Sequence, residues 1–146
     1  MNVKNLDGAK LVKGGIFNDC RGTLKYFNDV DLSPVKRFYL MEHPDVNVVR
    51  AWQGHQVERK WFYVLSGSFK VVLVRPDHWT DPSTNLEHEE FLLESDMNQV
   101  LYIPGAYANG FQALVPESKM MIFSDASLED SAADDYRFDK SMWYKW

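Results

Sequence analysis

Two strand-like runs meet at a Gly-Ser pair in the stretch Lys60-Trp-Phe-Tyr-Val-Leu-Ser66-Gly67-Ser68-Phe69-Lys-Val-Val-Leu-Val-Arg75. Both runs are rich in β-branched and aromatic residues, which favour strands. A short connection that contains glycine, placed between two such runs, is typical of a β-hairpin. The stretch therefore predicts two strands that pair with each other across the Gly-Ser turn.

Similar short runs recur along the chain and are bounded by Gly, Pro, Asn, Asp or Ser. They cover residues 34–41, 47–52, 89–93, 99–103, 110–114 and 119–123. No long segment has a helical period, and many short strands at regular spacing are typical of a sandwich or barrel. We therefore expect an all-β fold, and the 146 residues fit one domain over 1–146.

The C-terminal part changes in composition after Ser124. Residues 125–135 are acidic and small, with Ser and Asp positions that can cap one short helix. Residues 136–146 form an aromatic tail that must pack against something, either its own barrel or a second subunit. The sequence thus predicts a barrel followed by a short helical and aromatic tail.

Charge and cysteine content exclude several classes of partner. The formal net charge is −5 and the pI is about 5.3, so the concentrated basic field that nucleic acids require is missing. Cys20 is the single cysteine, which excludes an intrachain disulfide and a Cys-rich zinc site and favours a reducing cytoplasm. No segment approaches the roughly 20 apolar residues of a membrane span. Neither a nucleic-acid partner nor a membrane partner is expected.

A metal cage of the His-x-His type is incomplete in this chain. The run over residues 52–58 holds only His55 and Glu58 as good ligands, because Gln53 occupies the position of a second histidine. Asn109 stands after the Pro-Gly turn, where a further histidine would be expected, and an amide oxygen is a weak ligand for metals that prefer imidazole. We expect no metal and no other cofactor.

His55 is the candidate general base. It lies between Arg50 and Lys60, and a cationic pocket favours the neutral, proton-accepting form of imidazole. The competing interpretation is a hydrogen-bonded structural histidine. The remaining histidines are predicted at the surface: His43, His78 and His88.

Four basic side chains are candidate anion contacts, because each occurs singly within a strand or turn segment and not in a run of charged residues. They are Arg21, Arg37, Arg50 and Lys60. A guanidinium suits bidentate recognition of phosphate, although each of these residues also suits a surface salt bridge. Tyr39 and other strand aromatics can stack on a base or sugar ring, or else fill the core.

Five segments together resemble a known family. They are Phe17-Asn-Asp-Cys-Arg-Gly-Thr-Leu24, Val35-Lys-Arg-Phe-Tyr-Leu40, Val49-Arg-Ala-Trp-Gln-Gly-His55, the spacing from Lys60 to Gly67, and Leu101-Tyr-Ile-Pro-Gly-Ala-Tyr-Ala-Asn-Gly-Phe111. In order and spacing they resemble the small cupins of nucleotide-sugar biosynthesis. This family comprises dTDP-4-dehydrorhamnose 3,5-epimerases and dTDP-4-keto-6-deoxyhexose 3,4-ketoisomerases.

The resemblance implies a jelly-roll cupin barrel, commonly a homodimer that exchanges strands, with a nucleotide-sugar substrate in the barrel mouth. Arg21 and Arg50 would contact the diphosphate or the sugar. His55 falls where the ketoisomerases carry the second histidine of their motif, their candidate base. Lys60 falls where the epimerases place a lysine near the carbonyl oxygen, and Tyr39 lies on a strand whose tyrosines line the ketoisomerase pocket.

The chain differs from the epimerases at several positions of their motifs. Gln53 stands in place of their catalytic histidine, Asn109 in place of the histidine before Gly-Phe, and Ile122 in place of their catalytic tyrosine. Lys140 stands in place of the aspartate that pairs with the histidine. These differences favour a 3,4-ketoisomerisation or a single-centre epimerisation, in which one base returns the proton it took.

The sequence therefore predicts a cytoplasmic nucleotide-sugar epimerase or ketoisomerase of deoxysugar and surface-polysaccharide biosynthesis. In this hypothesis His55 and Lys60 are catalytic. Arg21, Tyr39, Arg50, Gln53 and Asn109 bind the substrate. The alternative is a non-catalytic cupin that binds a sugar or nucleotide sugar and has lost the epimerase chemistry.

Overall fold

Two five-stranded antiparallel sheets carry the fold in the computed structural model, which describes residues 8–146. The strands are β1 Lys10–Lys13, β2 Gly15–Asp19, β3 Gly22–Tyr26, β4 Arg37–Glu42, β5 Val49–His55, β6 Lys60–Ser66, β7 Ser68–Val74, β8 His88–Glu94, β9 Gln99–Ile103, β10 Tyr107–Ala113, β11 Lys119–Ser124 and β12 Tyr136–Arg137. A 3-10 turn spans Ser95–Met97, and helix α1 spans Leu128–Ala133.

Strands that are distant in the chain pair with each other in both sheets. The first sheet has the order β1-β9-β6-β11-β4, and the second has the order β12-β5-β10-β7-β8. Strands β2 and β3 form a separate two-stranded hairpin. This crossing of the chain between two facing sheets confirms the predicted all-β jelly-roll fold, although the sheet edges do not join into a closed barrel.

The main core lies between the two sheets. Its largest fully buried members come from both of them and include Phe62 and Leu101 of the first sheet and Phe69 and Leu73 of the second. Burying one such side chain stabilises the fold by about 1.5–3 kcal/mol. Because inward-facing residues alternate along each strand, the two sheets are held face to face at the distance that these side chains set.

The C-terminal tail covers the outer face of the second sheet. Trp52 is fully buried there against Val72, Val74 and Trp143, and its indole Nε1 donates a 2.9 Å hydrogen bond to the carbonyl of Met142. The rings of Trp52 and Trp143 meet edge to face at 5.4 Å. The tail therefore packs on the sheets of its own chain, which is one of the two predicted arrangements.

The predicted hairpin at Gly67 is wrong. Strand β6 pairs with β9 and β11 in the first sheet, whereas β7 pairs with β10 and β8 in the second. Gly67 has a φ of +73° and is the single residue between the two strands, so the chain bends from one sheet into the other. Sequence pattern identifies the strands, but it does not distinguish a turn within a sheet from a corner between sheets.

Several strand bounds also differ from the predictions. Strand β5 continues past Trp52 to His55, and β10 begins at Tyr107, so that Gln53 and Asn109 lie opposite each other in paired strands. Strands β1 to β3 were not predicted, because that part of the chain alternates weakly and is rich in charge and glycine. Helix α1 lies within the predicted segment and is capped by Ser127, whose hydroxyl accepts a bond from the Asp130 amide.

None of the helices within residues 8–146 has the length and apolar character needed to cross a bilayer.

We expect Gly67→Ala to lower the free energy of unfolding by about 1–3 kcal/mol, because the corner requires a positive φ and a Cβ there would collide with Ser118. Urea denaturation followed by tryptophan fluorescence measures the change. Glu94→Ala, on the exposed face of β8, is the control and should stay within about 0.5 kcal/mol of the parent protein. Equal stability of both variants would show that the corner at Gly67 tolerates a side chain.

Candidate active site

A cavity of about 260 Å³ opens between the two sheets. Six strands contribute to its wall: β4, β5, β6, β10, β11 and β12. Five of the predicted site residues line it: Tyr39, Arg50, Gln53, Lys60 and Asn109. Two further predicted residues, His55 and Arg21, are not part of its lining.

A β-bulge in β5 brings Arg50 and Gln53 to the same cavity. Residues three apart on a regular strand point to opposite faces of the sheet. Here Gln53 pairs with Asn109 and Arg50 pairs with Phe111, so two residues of β5 stand opposite Gly110 alone. The extra residue reverses the alternation, and both polar side chains reach the cavity.

Lys60 is the buried cation of the cavity. It is the first residue of β6 and is 3% exposed, and its Nζ donates a 3.1 Å hydrogen bond to the side-chain oxygen of Gln53. Burial lowers the pKa of Lys60 from 10.5 to about 8, although the carboxylate of Glu58 opposes the shift. The amine can therefore exist in its neutral, proton-accepting form near physiological pH.

Behind Lys60 lies a cluster of buried ionisable groups around Glu58. Its carboxylate oxygens lie 3.5 Å from Nζ of Lys60, 3.3 Å from Nε2 of His55 and 3.6 Å from Nη2 of Arg37. Arg37 is held in place by hydrogen bonds to the Ala126 carbonyl and to a helix α1 hydroxyl. The candidate anion contact Arg37 therefore faces an internal carboxylate.

His55 is sealed inside the protein. It is 2% exposed, and its Nδ1 lies 2.6 Å from the backbone carbonyl of Asp134. Because a carbonyl only accepts hydrogen bonds, Nδ1 carries the proton and Nε2 faces Glu58. Burial and the nearby Lys60 cation lower the pKa of His55. The ring thus has the neutral character expected of a base, but it does not line the cavity.

Asp134 ties the end of helix α1 to the turn between β5 and β6. Its carboxylate accepts hydrogen bonds of 2.7, 2.9 and 2.8 Å from the backbone amides of Gln56, Val57 and Glu58. Its own carbonyl holds the His55 ring. One residue therefore positions both His55 and Glu58, although it is distant from them in the chain.

Two guanidinium groups lie at the mouth of the cavity. Arg50 and Arg137 both line it and are both exposed to solvent. Arg137 reaches this place because β12 pairs with β5 and sets it opposite Gln53. Asp135 accepts hydrogen bonds from Arg137 and Gln53, which outweigh the effect of burial and lower the pKa of Asp135.

The rest of the lining combines one phenol with amide and apolar groups. Burial raises the pKa of Tyr39 to about 12, so its hydroxyl stays protonated and can donate a hydrogen bond. Asn109 presents a buried amide opposite Gln53. Ile122 adds an apolar wall at the position where the resemblance to the epimerases implies a tyrosine.

Arg21 lies at the turn of the β2–β3 hairpin, away from the cavity of its own chain. Its side chain is 84% exposed and forms an ion pair of 2.6 Å with Asp19. Cys20 beside it is a free, exposed thiol. A phosphate-binding role of Arg21 stays a prediction.

His78 and His88 are exposed, as predicted, whereas His43 is only partly exposed and turns its ring inward. The His43 ring stacks on Phe111 at 5.7 Å between ring centroids, and both of its nitrogens are buried with no hydrogen-bond partner among residues 8–146. Burial lowers the pKa of His43. The aromatic core next to β4 accounts for this position.

Sequence reasoning missed three residues that build the site: Glu58, Asp134 and Arg137. Glu58 was considered only as a metal ligand. Asp134 lies more than 70 residues after the turn that it holds, and Arg137 lies more than 70 residues after the strand with which it pairs, so no local pattern could show those contacts. Within residues 8–146, no three His, Cys, Asp or Glu side chains gather as a metal-binding group.

Comparisons with known proteins agree with the fold. No protein-family model matches the chain. A curated relative, described as a probable low-salt glycan biosynthesis epimerase, Agl13, from Haloferax volcanii, is 27% identical over 104 residues. The match covers 71% of this chain and 65% of the relative, so the chain spans less than two thirds of that protein.

Two solved structures share the architecture. A dTDP-4-dehydrorhamnose 3,5-epimerase from Bacillus anthracis, with TDP and pyrophosphate bound, has a TM-score of 0.75 and 24% identity, covering 94% of this chain and 84% of that one. A variant of the 3,4-ketoisomerase QdtA from Thermoanaerobacterium thermosaccharolyticum, in complex with TDP-4-keto-6-deoxyglucose, has a TM-score of 0.71 and 20% identity, covering 90% and 88%. The fold that the sequence motifs indicated is confirmed.

We expect Asp134→Ala to lower the free energy of unfolding by about 2–4 kcal/mol, because the backbone amides of Gln56, Val57 and Glu58 lose the carboxylate that accepts their hydrogen bonds. Thermal unfolding and urea denaturation measure this change. Glu129→Ala, on the exposed side of α1, is the matched control and should cost less than about 1 kcal/mol. If the free energy of unfolding fell by the same small amount in both variants, Asp134 would not be needed to hold the turn.

Proposed function

We propose that this protein is a nucleotide-sugar epimerase or ketoisomerase that removes a proton from the carbon next to a ketone, without a metal. It would act on a dTDP-4-keto-6-deoxyhexose in deoxysugar and surface-polysaccharide biosynthesis, in the cytoplasm. The single observation that carries the proposal is Lys60, a buried amine with a pKa of about 8 that opens onto the cavity. The shared fold and the relatives described above support the substrate class.

The chemistry requires a base of matched pKa and groups that stabilise the enolate oxygen. Lys60 meets the first requirement, because about half of its amine is neutral near pH 8. The Tyr39 hydroxyl and the Asn109 amide line the same cavity and can donate hydrogen bonds to the developing oxyanion. The geometry therefore favours Lys60 as the group that meets the substrate, with His55 behind it.

Arg50 and Arg137 supply the positive charge at the mouth that a diphosphate requires. The sugar would then occupy the interior, beside Gln53 and Lys60, and the nucleotide would extend outward. The cavity has room for one hexose but not for the whole nucleotide sugar.

A non-catalytic nucleotide-sugar binding protein is the second candidate. It is favoured by Gln53, Asn109 and Ile122, which line the cavity where the related epimerases are expected to have their reacting side chains. None of these three groups titrates in the physiological range. Under this alternative the cavity would bind the ligand without exchanging its protons.

A second copy of the chain is the proposed protein partner. The outer face of the first sheet exposes Phe38 and Leu40, and the β2–β3 hairpin exposes Phe17 and Leu24. Large apolar side chains that are exposed to this extent are typical of an interface. Arg21 lies at the tip of that hairpin, so it would join a site only by reaching the cavity of the second copy.

We expect the protein to incorporate deuterium from D₂O into dTDP-4-keto-6-deoxyglucose at the carbon next to the ketone, as followed by proton NMR. Because the Lys60 amine must be neutral to accept a proton, the exchange rate should rise about tenfold per pH unit up to about pH 8 and then level off. Tight binding of the nucleotide sugar without exchange would instead support the second candidate.

We expect Lys60→Met to slow this exchange by about 10²-fold or more while changing the dissociation constant of dTDP by less than about threefold, because the amine acts at the reacting carbon. Isothermal titration calorimetry supplies the dissociation constant. Lys70→Met is a matched control, since the ammonium of this lysine lies over the rings of Tyr144 and Trp146 and the residue does not line the cavity. Weaker binding with an unchanged exchange rate would assign Lys60 to substrate binding.

We expect Phe38→Asp to convert a dimer to a monomer in size-exclusion chromatography with light scattering, because the charge falls within the proposed apolar interface. The control is Leu128→Asp, an equally exposed leucine at the start of α1 and outside that surface. A parent protein that is monomeric at high concentration would contradict the proposed partner.

A further inference from the structure

Glu58 is a buried carboxylate that lies among charged groups at ion-pair distances and accepts no hydrogen bond from the described residues. Its side chain is 1% exposed, and neither Oε1 nor Oε2 has a hydrogen-bonding partner among the described residues. A buried charge is strongly unfavourable unless groups of opposite charge surround it. The presence of this residue therefore requires compensation by the groups packed around it.

Charged and titratable groups from three strands face this carboxylate. Lys60 of β6 and His55 of β5 lie beside Oε2, and Arg37 of β4 lies beside Oε1. Three further groups act at longer range: Arg137 of β12 opposes the charge of Lys60, Asp134 bonds His55 through its carbonyl, and the Tyr39 phenol of β4 interacts with the charge of Glu58. The arrangement is one carboxylate among three basic groups.

His55 faces Glu58 through the ring nitrogen that carries no proton in the neutral tautomer. Nδ1 of His55 already donates its hydrogen to Asp134, so Nε2 of the neutral ring has a bare lone pair. An ionised carboxylate oxygen at 3.3 Å would also present lone pairs, and two acceptors repel each other. No described residue bonds Nε2, so a proton taken up between these two atoms would be held by both and would reduce the negative charge that Glu58 presents to Lys60.

We propose that Glu58 is a positioning residue that couples Lys60 to His55, so that the three side chains handle protons as one unit and Lys60 alone meets the substrate. This inference rests on the function proposed above and adds a residue and a role to it. Glu58 itself does not touch the substrate, because it does not line the cavity.

The coupled unit accounts for both halves of the proposed reaction. The neutral Lys60 amine takes the proton from the carbon next to the ketone: the C–H bond breaks, an N–H bond forms, and the electron pair moves to the ketone oxygen. The new ammonium faces Glu58, which stabilises it. Return of that proton to carbon re-forms a ketone and restores the neutral amine.

The test compares Glu58→Gln with the parent protein, both as intact chains without substrate. Glutamine keeps the size of the side chain and can donate a hydrogen bond to Nε2 of His55, but it removes the negative charge. NMR of ¹³C,¹⁵N-labelled lysine gives the titration midpoint of Lys60, whose signal is the one missing from Lys60→Met. We expect Glu58→Gln to lower this midpoint by about one pH unit or more.

Glu42→Gln is the matched control. Glu42 pairs with Lys119 at 3.8 Å on an exposed edge of the first sheet. Removing the charge of Glu42 should therefore change the titration midpoint of Lys60 by less than about 0.3 pH unit relative to the parent protein. A merely structural Glu58 would lower the melting temperature without moving the midpoint. A shift below about 0.3 unit in folded Glu58→Gln would overturn the proposal.

A second measurement on the parent protein covers the case in which Glu58→Gln does not fold. The side-chain carboxyl ¹³C signal of Glu58 should show an inflection at the same pH as the Lys60 signal, and that of Glu42 should not. A Glu58 carboxyl signal whose chemical shift does not change at the titration midpoint of Lys60 would overturn the coupling. These readouts use no substrate, so they separate failure of the coupling from failure of the proposed function.

Turnover then tests the link to catalysis. In Glu58→Gln the rise of the deuterium-exchange rate with pH should move to lower pH, by the same amount as the Lys60 midpoint, with little change in KM. If the titration midpoint of Lys60 moves but neither protein exchanges deuterium into the substrate, the proposed function is wrong and the charge coupling between Glu58 and Lys60 still holds. Exchange with an unmoved pH profile would overturn the role of Glu58.

Discussion

Burial of the Lys60 ammonium between two β-sheets is the constraint on which the site depends. A cation removed from water is stable only when carboxylate and amide oxygens replace its hydration. Here Glu58 and Gln53 do so, and Glu58 in turn needs Arg37 and His55 beside it. Each buried charge requires the next, so the cluster holds strands β4, β5 and β6 in one relative arrangement.

The cluster is built by contacts that cross large sequence distances. The turn that carries Glu58 is held by Asp134, from the segment after α1, and the mouth receives Arg137 through the pairing of β12 with β5. The C-terminal segment thus both completes the site and covers the outer face of the second sheet, where Trp52 is buried. Packing of the tail and geometry of the site are linked through the same strand, β5.

Sequence pattern was informative about which segments are strands and about several residues of the cavity. Alternating β-branched and aromatic residues indicated most strands of both sheets, and motif spacing indicated that Lys60, Arg50, Gln53 and Asn109 belong together. The pattern predicted the wrong connection at Gly67, because a glycine at this place is compatible both with a hairpin within one sheet and with a corner between two sheets. It also could not determine the depth of His55, since burial depends on which side chains of other strands lie above it.

The sequence by itself determined the all-β fold class and indicated five polar residues of the cavity lining, because strands follow from local periodicity and the motifs place these residue types at fixed spacing. Only the tertiary structure decided that Lys60 faces the cavity while His55 lies behind Glu58. The physical reason is that the protonation and reach of a side chain depend on its distance from other charges and from water. Those distances are set by strand pairing, by the bulge in β5 and by the long-range contact of Asp134.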